Sequence, residues 1–185
     1  MKKKQKNFGK FHSQLDLPFL ETDNESLKEI FQILELEFGL KRNSNQKLVD
    51  LGAGNGSIVI FSALYYGIKA YGIEIDRSLV KETMVRIKSL KRERNFKNGL
   101  FRKIKIKLGD LYLQNLKKYD FIYLYSLPSM QKYLKHVLST AKRGAVIISH
   151  KYQLNDLNSL IRYEYRLVHK KSKQEIFTFL YTKIS

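Results

Sequence analysis

Three glycines in five residues, Gly52-Ala53-Gly54-Asn55-Gly56, follow directly on the short apolar run Lys47–Leu51. A strand that ends in such a turn lets the backbone approach a ligand where a Cβ would clash. The next segment, Ile58–Tyr66, reads as a helix, so its first N–H groups and the positive end of its dipole face the same place. Strand, glycine turn and helix in this order restrict the chain to α/β folds built on a parallel sheet.

The rest of the pattern agrees. Ala70–Ile75 reads as a strand and Arg77–Asn95 as a long charged helix. Lys103–Leu108 alternates Ile with Lys, which suits a strand with one wet face. Tyr119–Tyr125 is almost continuously apolar, as in the middle of a parallel sheet. A helix with Pro in its first turn is expected over Pro128–Lys142, then a buried strand over Ala145–Ser149 and a short helix near Leu154–Ile161. The chain closes with two strands, Glu164–His169 and Glu175–Lys183, turning at Lys171-Ser172-Lys173, so at least one strand is antiparallel. Upstream, Thr22-Asp23-Asn24-Glu25 has the S/T-x-x-E form of a capping box, followed by Leu27, Ile30, Phe31, Leu34 and Phe38 at helical spacing. Residues 1–17 read as a basic tail and residues 18–185 as one domain.

Composition removes several chemistries. There is no cysteine, which excludes disulfides, thiolate nucleophiles and cysteine-ligated metals. His12, His136, His150 and His169 lie far apart without metal-ligand spacing, so no metal is expected. No run approaches the roughly 18 apolar residues of a membrane span. The basic N-terminus leads into no apolar signal region, and a cytoplasmic location is expected. Lys plus Arg is 35 against 17 acids, a formal charge of +18, and eleven of those bases fall between Lys81 and Lys107 against Glu82 and Glu93. Such a cluster can meet RNA or an anionic membrane surface.

Spacing sharpens the glycine turn. The G-x-G-x-x-G of dinucleotide sites would need glycine at 57, where the chain has Ser57, and the pattern from Asp50 is D-x-G-x-G-x-G. Glu74 then falls at the end of the second strand, where a carboxylate can accept both hydroxyls of a ribose. This set resembles the class I S-adenosylmethionine-dependent methyltransferases. The resemblance implies a Rossmann-like fold: a mostly parallel seven-stranded sheet with a C-terminal antiparallel hairpin and helices on both faces. It implies S-adenosyl-L-methionine as cofactor. Asp50, Gly52, Ala53, Gly54, Asn55 and Gly56 would surround its methionine portion, Glu74 would hold the ribose, and Ile75 would pack on the adenine. Asp110, in Leu108-Gly109-Asp110-Leu111, would meet the adenine amine; a helix N-cap is its other reading.

A narrower likeness follows from motif order. Pro18-Phe19-Leu20-Glu21-Thr22, the glycine turn continuing into Ile58-Val59-Ile60, Tyr125-Ser126-Leu127-Pro128-Ser129-Met130 and Val146-Ile147-Ile148-Ser149-His150 stand in sequence. They resemble the compact protein-lysine methyltransferases of archaea and mitochondria, the family that includes the ATP synthase c-subunit lysine methyltransferase. Their motifs are P-[FY]-[VL]-P-T, DLG-x-G-x-GRIVI and V-P-Q-M. Here Glu21 replaces proline, Ser57 replaces arginine, and Lys88–Lys107 is a basic insertion. By this resemblance Thr22 would sit over the cofactor's amino-acid end, and the substrate would be a protein lysine.

A lysine must lose a proton before it attacks, which costs about 4–5 kcal/mol at pH 7. Tyr125, Ser126 and His150 are the expected catalytic residues: Tyr125 can hold an ammonium against its ring, and His150 can accept a proton. Two other functions compete. An RNA methyltransferase would use the basic surface, but no N-P-P-[FY] or D-P-P-Y segment follows the fourth strand. A cofactor-binding fold without catalysis could tether an anionic partner.

Overall fold

The computed structural model describes residues 22–155, 157–170 and 175–185. The expected basic tail, Pro18–Glu21 and the Lys171–Lys173 turn lie outside them. One seven-stranded sheet organises the chain, in the order β3-β2-β1-β4-β5-β7-β6. Its strands are β1 (Lys47–Leu51), β2 (Lys69–Glu74), β3 (Ile104–Leu108), β4 (Phe121–Leu124), β5 (Val146–His150), β6 (Ile161–Lys170) and β7 (Glu175–Lys183). The first five are parallel; β7 lies antiparallel between β5 and β6.

The helices are α1 (Asn24–Glu37), α2 (Ser57–Tyr65), α3 (Arg77–Arg92), α4 (Asn98–Phe101) and α5 (Pro128–Ser139). On one sheet face, Leu27, Ile30, Phe31 and Leu34 of α1 pack with Ile58 and Phe61 of α2 on Leu48, Phe121, Tyr123 and Ile148. Further along that face, Ile87 and Leu90 of α3 and Phe101 of α4 meet Ile60 and Leu64. The other face is covered by Leu134, Val137 and Leu138 of α5 against Val49, Leu51, Ile122 and Ile147. Central strands are apolar on both sides because both are covered. At the edge, β3 keeps Ile104 and Ile106 half-buried and exposes Lys105 and Lys107.

Three local expectations are corrected. The cap of α1 is Asp23, whose Oδ1 accepts from the Glu25 and Ser26 amides at 3.2 and 3.1 Å; the Thr22 hydroxyl turns instead to Tyr123. The long charged helix stops at Arg92, Arg94 takes a φ of 56°, and the separate α4 follows. Among the described residues near Leu154–Ile161 there is no helix. Leu154 and Leu157 are buried in a loop, the Leu154 amide donates to the Tyr181 hydroxyl at 2.9 Å, and Gln131 holds the Gln153 carbonyl at 2.8 Å. These tertiary partners satisfy backbone groups that a helix would have paired internally, and β6 begins at Ile161.

All parallel strands end at one edge, which gathers the glycine turn, Glu74, Tyr125 and His150. From that edge α3 runs back about 24 Å (roughly 1.5 Å per residue) to the opposite edge. Among the described residues no helix is long and apolar enough to cross a membrane.

Candidate active site

Gly52, Gly54 and Gly56 have φ of 89°, 51° and 75°, all left-handed. Gly56 caps α2, and a Cβ there would lie 2.3 Å from Thr83 Cγ2 of α3. The Thr83 hydroxyl in turn donates to the Gly54 carbonyl at 3.0 Å, so α3 both clamps the turn and excludes a side chain from it. Arg86, one turn on, reaches the Asn55 carbonyl at 3.3 Å and Ser57 Oγ at 2.9 Å. Asn55 Oδ1 accepts from the Ser57 amide at 3.1 Å. Gly52 and Ala53 donate their amides to the Ile73 carbonyl, both at 2.9 Å, which ties the turn to β2.

That tie brings the acid of β2 to the turn. Glu74 is buried; one carboxylate oxygen accepts from the Gly54 amide at 2.7 Å, and the other from the Ile75 and Asp76 amides at 2.7 and 2.9 Å. Beside it the Ile75 side chain is 48% exposed, a large apolar surface on the rim. Asp110 follows β3, next to the Glu74 carbonyl that accepts from Gly109, and its Oδ1 accepts from the Tyr112 amide at 2.8 Å. Asp110 therefore caps the short 3-10 turn Leu111–Leu113.

Asp50 is buried on β1 between Gly72 and Tyr123. Burial pushes its carboxyl well above the usual carboxylate range, and the Glu74 charge adds to the shift. Among the described residues no hydrogen-bond donor reaches it. Ser126 Oγ, just beyond β4, is also buried without a partner. A buried carboxyl, an unsatisfied buried hydroxyl, a left-handed turn and an exposed isoleucine at one sheet edge fit a ligand with an ammonium, hydroxyls and a flat apolar ring.

Thr22 joins the same edge through the strand neighbour of Asp50: its hydroxyl is 2.7 Å from the Tyr123 hydroxyl, which is buried and pushed well up in pKa chiefly by that burial. Tyr125 and His150 do come together, edge to face at 5.1 Å between ring centres. Tyr152 adds a third ring 6.2 Å from Tyr125. The Tyr125 hydroxyl beside Lys151 holds that ammonium above its ordinary value.

Behind His150 lies an arrangement that no sequence spacing signals. His150 Nδ1 is 2.7 Å from Thr178 Oγ1, and Thr178 Oγ1 is 2.8 Å from His169 Nε2. His169 Nδ1 pairs with Glu29 Oε2, whose side chain is 49% exposed. The donor directions follow from chemistry. An ionised carboxylate only accepts, so His169 Nδ1 carries a proton; in neutral His169, Nε2 then accepts from the Thr178 hydroxyl. The Thr178 oxygen accepts from His150 Nδ1–H, which assigns the lone pair of neutral His150 to Nε2. With His169 neutral, these four residues from α1, β5, β6 and β7 place the proton of a neutral His150 on Nδ1.

A family model described as the ANTKMT methyltransferase domain matches residues 50–160. No curated protein sequence matches the chain. Among solved structures, an RNA methyltransferase from Salinibacter ruber in complex with S-adenosyl-L-homocysteine is similar at a TM-score of 0.70 and 23% identity, over 90% of this chain and 95% of that one. The magnesium protoporphyrin IX methyltransferase ChlM from Synechocystis PCC 6803 with bound SAM has a TM-score of 0.65 at 16% identity, over 96% of this chain and 92% of that one. A SAM-dependent O-methyltransferase from Thermotoga maritima has a TM-score of 0.63 at 15% identity, over 91% and 68%. At these identities the likeness establishes the Rossmann-like methyltransferase fold.

Proposed function

The chain belongs to the ANTKMT methyltransferase domain family, and from that premise we propose that it methylates the side-chain amine of a lysine in a protein substrate. Its cofactor is S-adenosylmethionine, which when bound supplies a methyl group made electrophilic by a sulfonium. Asp50 holds the cofactor's ammonium, which restores a partner to the buried carboxyl. The turn from Gly52 to Gly56 lies along its methionine portion with Thr22 at the amino-acid end. Glu74 exchanges backbone amides for ribose hydroxyls, Ile75 covers the adenine, and Asp110 reaches its amine.

The observation that carries the lysine reading is the chain of hydrogen bonds behind His150. A lysine ammonium must shed a proton at a cost of about 4–5 kcal/mol at pH 7. His150 Nε2 accepts it beside the Tyr125 ring, which favours a cation in front of its face. The imidazolium then releases its Nδ1 proton to Thr178, Thr178 passes its own to His169 Nε2, and His169 Nδ1–H discharges at Glu29 in contact with solvent. Ser126 Oγ orients the amine. A nucleic-acid acceptor would draw on the +18 charge, but the bases that converge at the C-terminal end of α3 lie at the sheet edge opposite these residues.

The test uses methyl-labelled S-adenosylmethionine, purified protein and cofactor-depleted cell extract, with parallel protease and ribonuclease digestion. Label lost only with protease, and located on lysine by mass spectrometry, is expected. Label lost only with ribonuclease overturns the reading.

A further inference from the structure

We propose that the groove between the C-terminal end of α3 and α4 binds a single-stranded polynucleotide, gripping its phosphates at the sheet edge opposite the methyl-transfer site. The inference is independent of which group accepts the methyl.

The groove encloses about 760 Å³ and is lined by Lys88, Lys91, Arg92, Arg94, Phe96 and Lys97. Ion pairs among the described residues join Arg42 to Glu35, Lys142 to Asp120, Arg162 to Glu164 and His169 to Glu29; none engages a groove cation. The same basic stretch contains bases with internal work. Arg86 braces the glycine turn and Lys103 Nζ donates to the Gly67 carbonyl. Of the other nine bases in that stretch, five converge on the concavity: Lys88, Lys91, Arg92, Arg94 and Lys97. Like charges so close repel one another, and the repulsion is relieved by a ligand that brings several negative charges at once.

The groove's floor separates the possible polyanions. Phe96 is half-buried there, edge-on to Tyr65 at 5.3 Å, and Tyr65 is 55% exposed while stacking on Phe61 at 4.8 Å. Cations around a groove that includes the Phe96 ring, with the exposed Tyr65 ring next to it, match the chemistry of unpaired bases, which stack on rings while their phosphates meet Lys and Arg. A concave surface is poorly shaped for a bilayer, and an acidic peptide makes no use of the rings.

The experiment measures anisotropy of a short fluorescein-labelled oligouridylate with the full-length protein. Binding is expected, with affinity falling against salt at a log–log slope of up to about −3.5, from five phosphates at about −0.7 each. The variant Lys91→Glu/Arg94→Glu/Lys97→Glu should bind at least about tenfold more weakly while its S-adenosylhomocysteine affinity, which reports a folded cofactor site, stays unchanged. Lys88→Gln/Lys91→Gln should weaken binding less and flatten the salt slope. Absence of binding, equal affinity in wild type and triple variant, or tighter binding of phosphatidylserine vesicles or polyglutamate than of oligouridylate overturns the proposal.

Discussion

The Glu74 carboxylate lies 2.7 Å from the Gly54 amide, so the acid that ends β2 and the turn that follows β1 position each other. Glu74 has three backbone donors already, and a ribose diol must compete with them. The same bonds that orient the carboxylate set a cost on its use.

Glu74→Ala should weaken S-adenosylhomocysteine binding by about 1.5–3 kcal/mol, the scale of hydrogen bonds to a charged group. Isothermal calorimetry measures this directly. Unchanged affinity in a folded variant would remove Glu74 from the cofactor site.

Asp50→Asn should trade affinity for stability. Burial raises the Asp50 carboxyl above its ordinary 3.8. Between that value and the raised one the folded state binds more protons than the unfolded chain, so stability falls as pH rises through the window. The penalty grows with pH through that window and is fully present above the raised value. The neutral amide should recover about 1–3 kcal/mol in thermal unfolding at neutral pH and lose cofactor affinity. A lower melting temperature there would contradict the assignment.

Gly56→Ala should cost more than the about 1–2 kcal/mol of a left-handed L-residue, because Thr83 Cγ2 occupies the space. Thr83→Ser removes that methyl and keeps the hydroxyl on the Gly54 carbonyl. The double variant should therefore recover the steric part and leave the backbone part. Chemical denaturation of the four proteins closes the cycle; strict additivity would show that the two residues do not meet.

Thr178→Val should change the tautomer of His150, read from histidine side-chain nitrogen shifts in an NMR spectrum of the protein alone. The wild type is expected to carry the proton on Nδ1, Thr178→Val to lose that preference, and Thr178→Ser to restore it. Methyl transfer should fall at least about tenfold in the valine variant, within the range of general base catalysis, and return in the serine one. A wild-type His150 protonated on Nε2 would break the relay.

The glycine turn, Glu74 and the parallel sheet were legible because they are local: an apolar strand, a turn and an acid at a fixed offset carry their meaning in sequence. Asp23 and Thr22 are both good caps, and only the distant Tyr123 decides between them by taking the threonine hydroxyl. Leu154, Leu157 and Ile161 mimic helical spacing, yet Leu154 and Leu157 are buried in a loop pinned by Tyr181 and Gln131 and Ile161 opens β6. His150 and His169 read as scattered, but antiparallel pairing of β7 with both β5 and β6 sets their rings 5.6 Å apart. Glu29 joins them across 140 residues. Contacts of that range leave no periodic trace.

The placement of β7 between β5 and β6 has a consequence for biosynthesis. As the chain leaves the ribosome, β6 emerges with no neighbouring strand, since its sole ladder is to a segment not yet translated. Until β7 slides in, β5 also presents an open, apolar edge of the kind that invites intermolecular pairing. Thr178 arrives with that last strand, so the proposed proton path is completed by the same event that seals the sheet, and on that proposal a nascent chain stalled before β7 is both adhesive and inert.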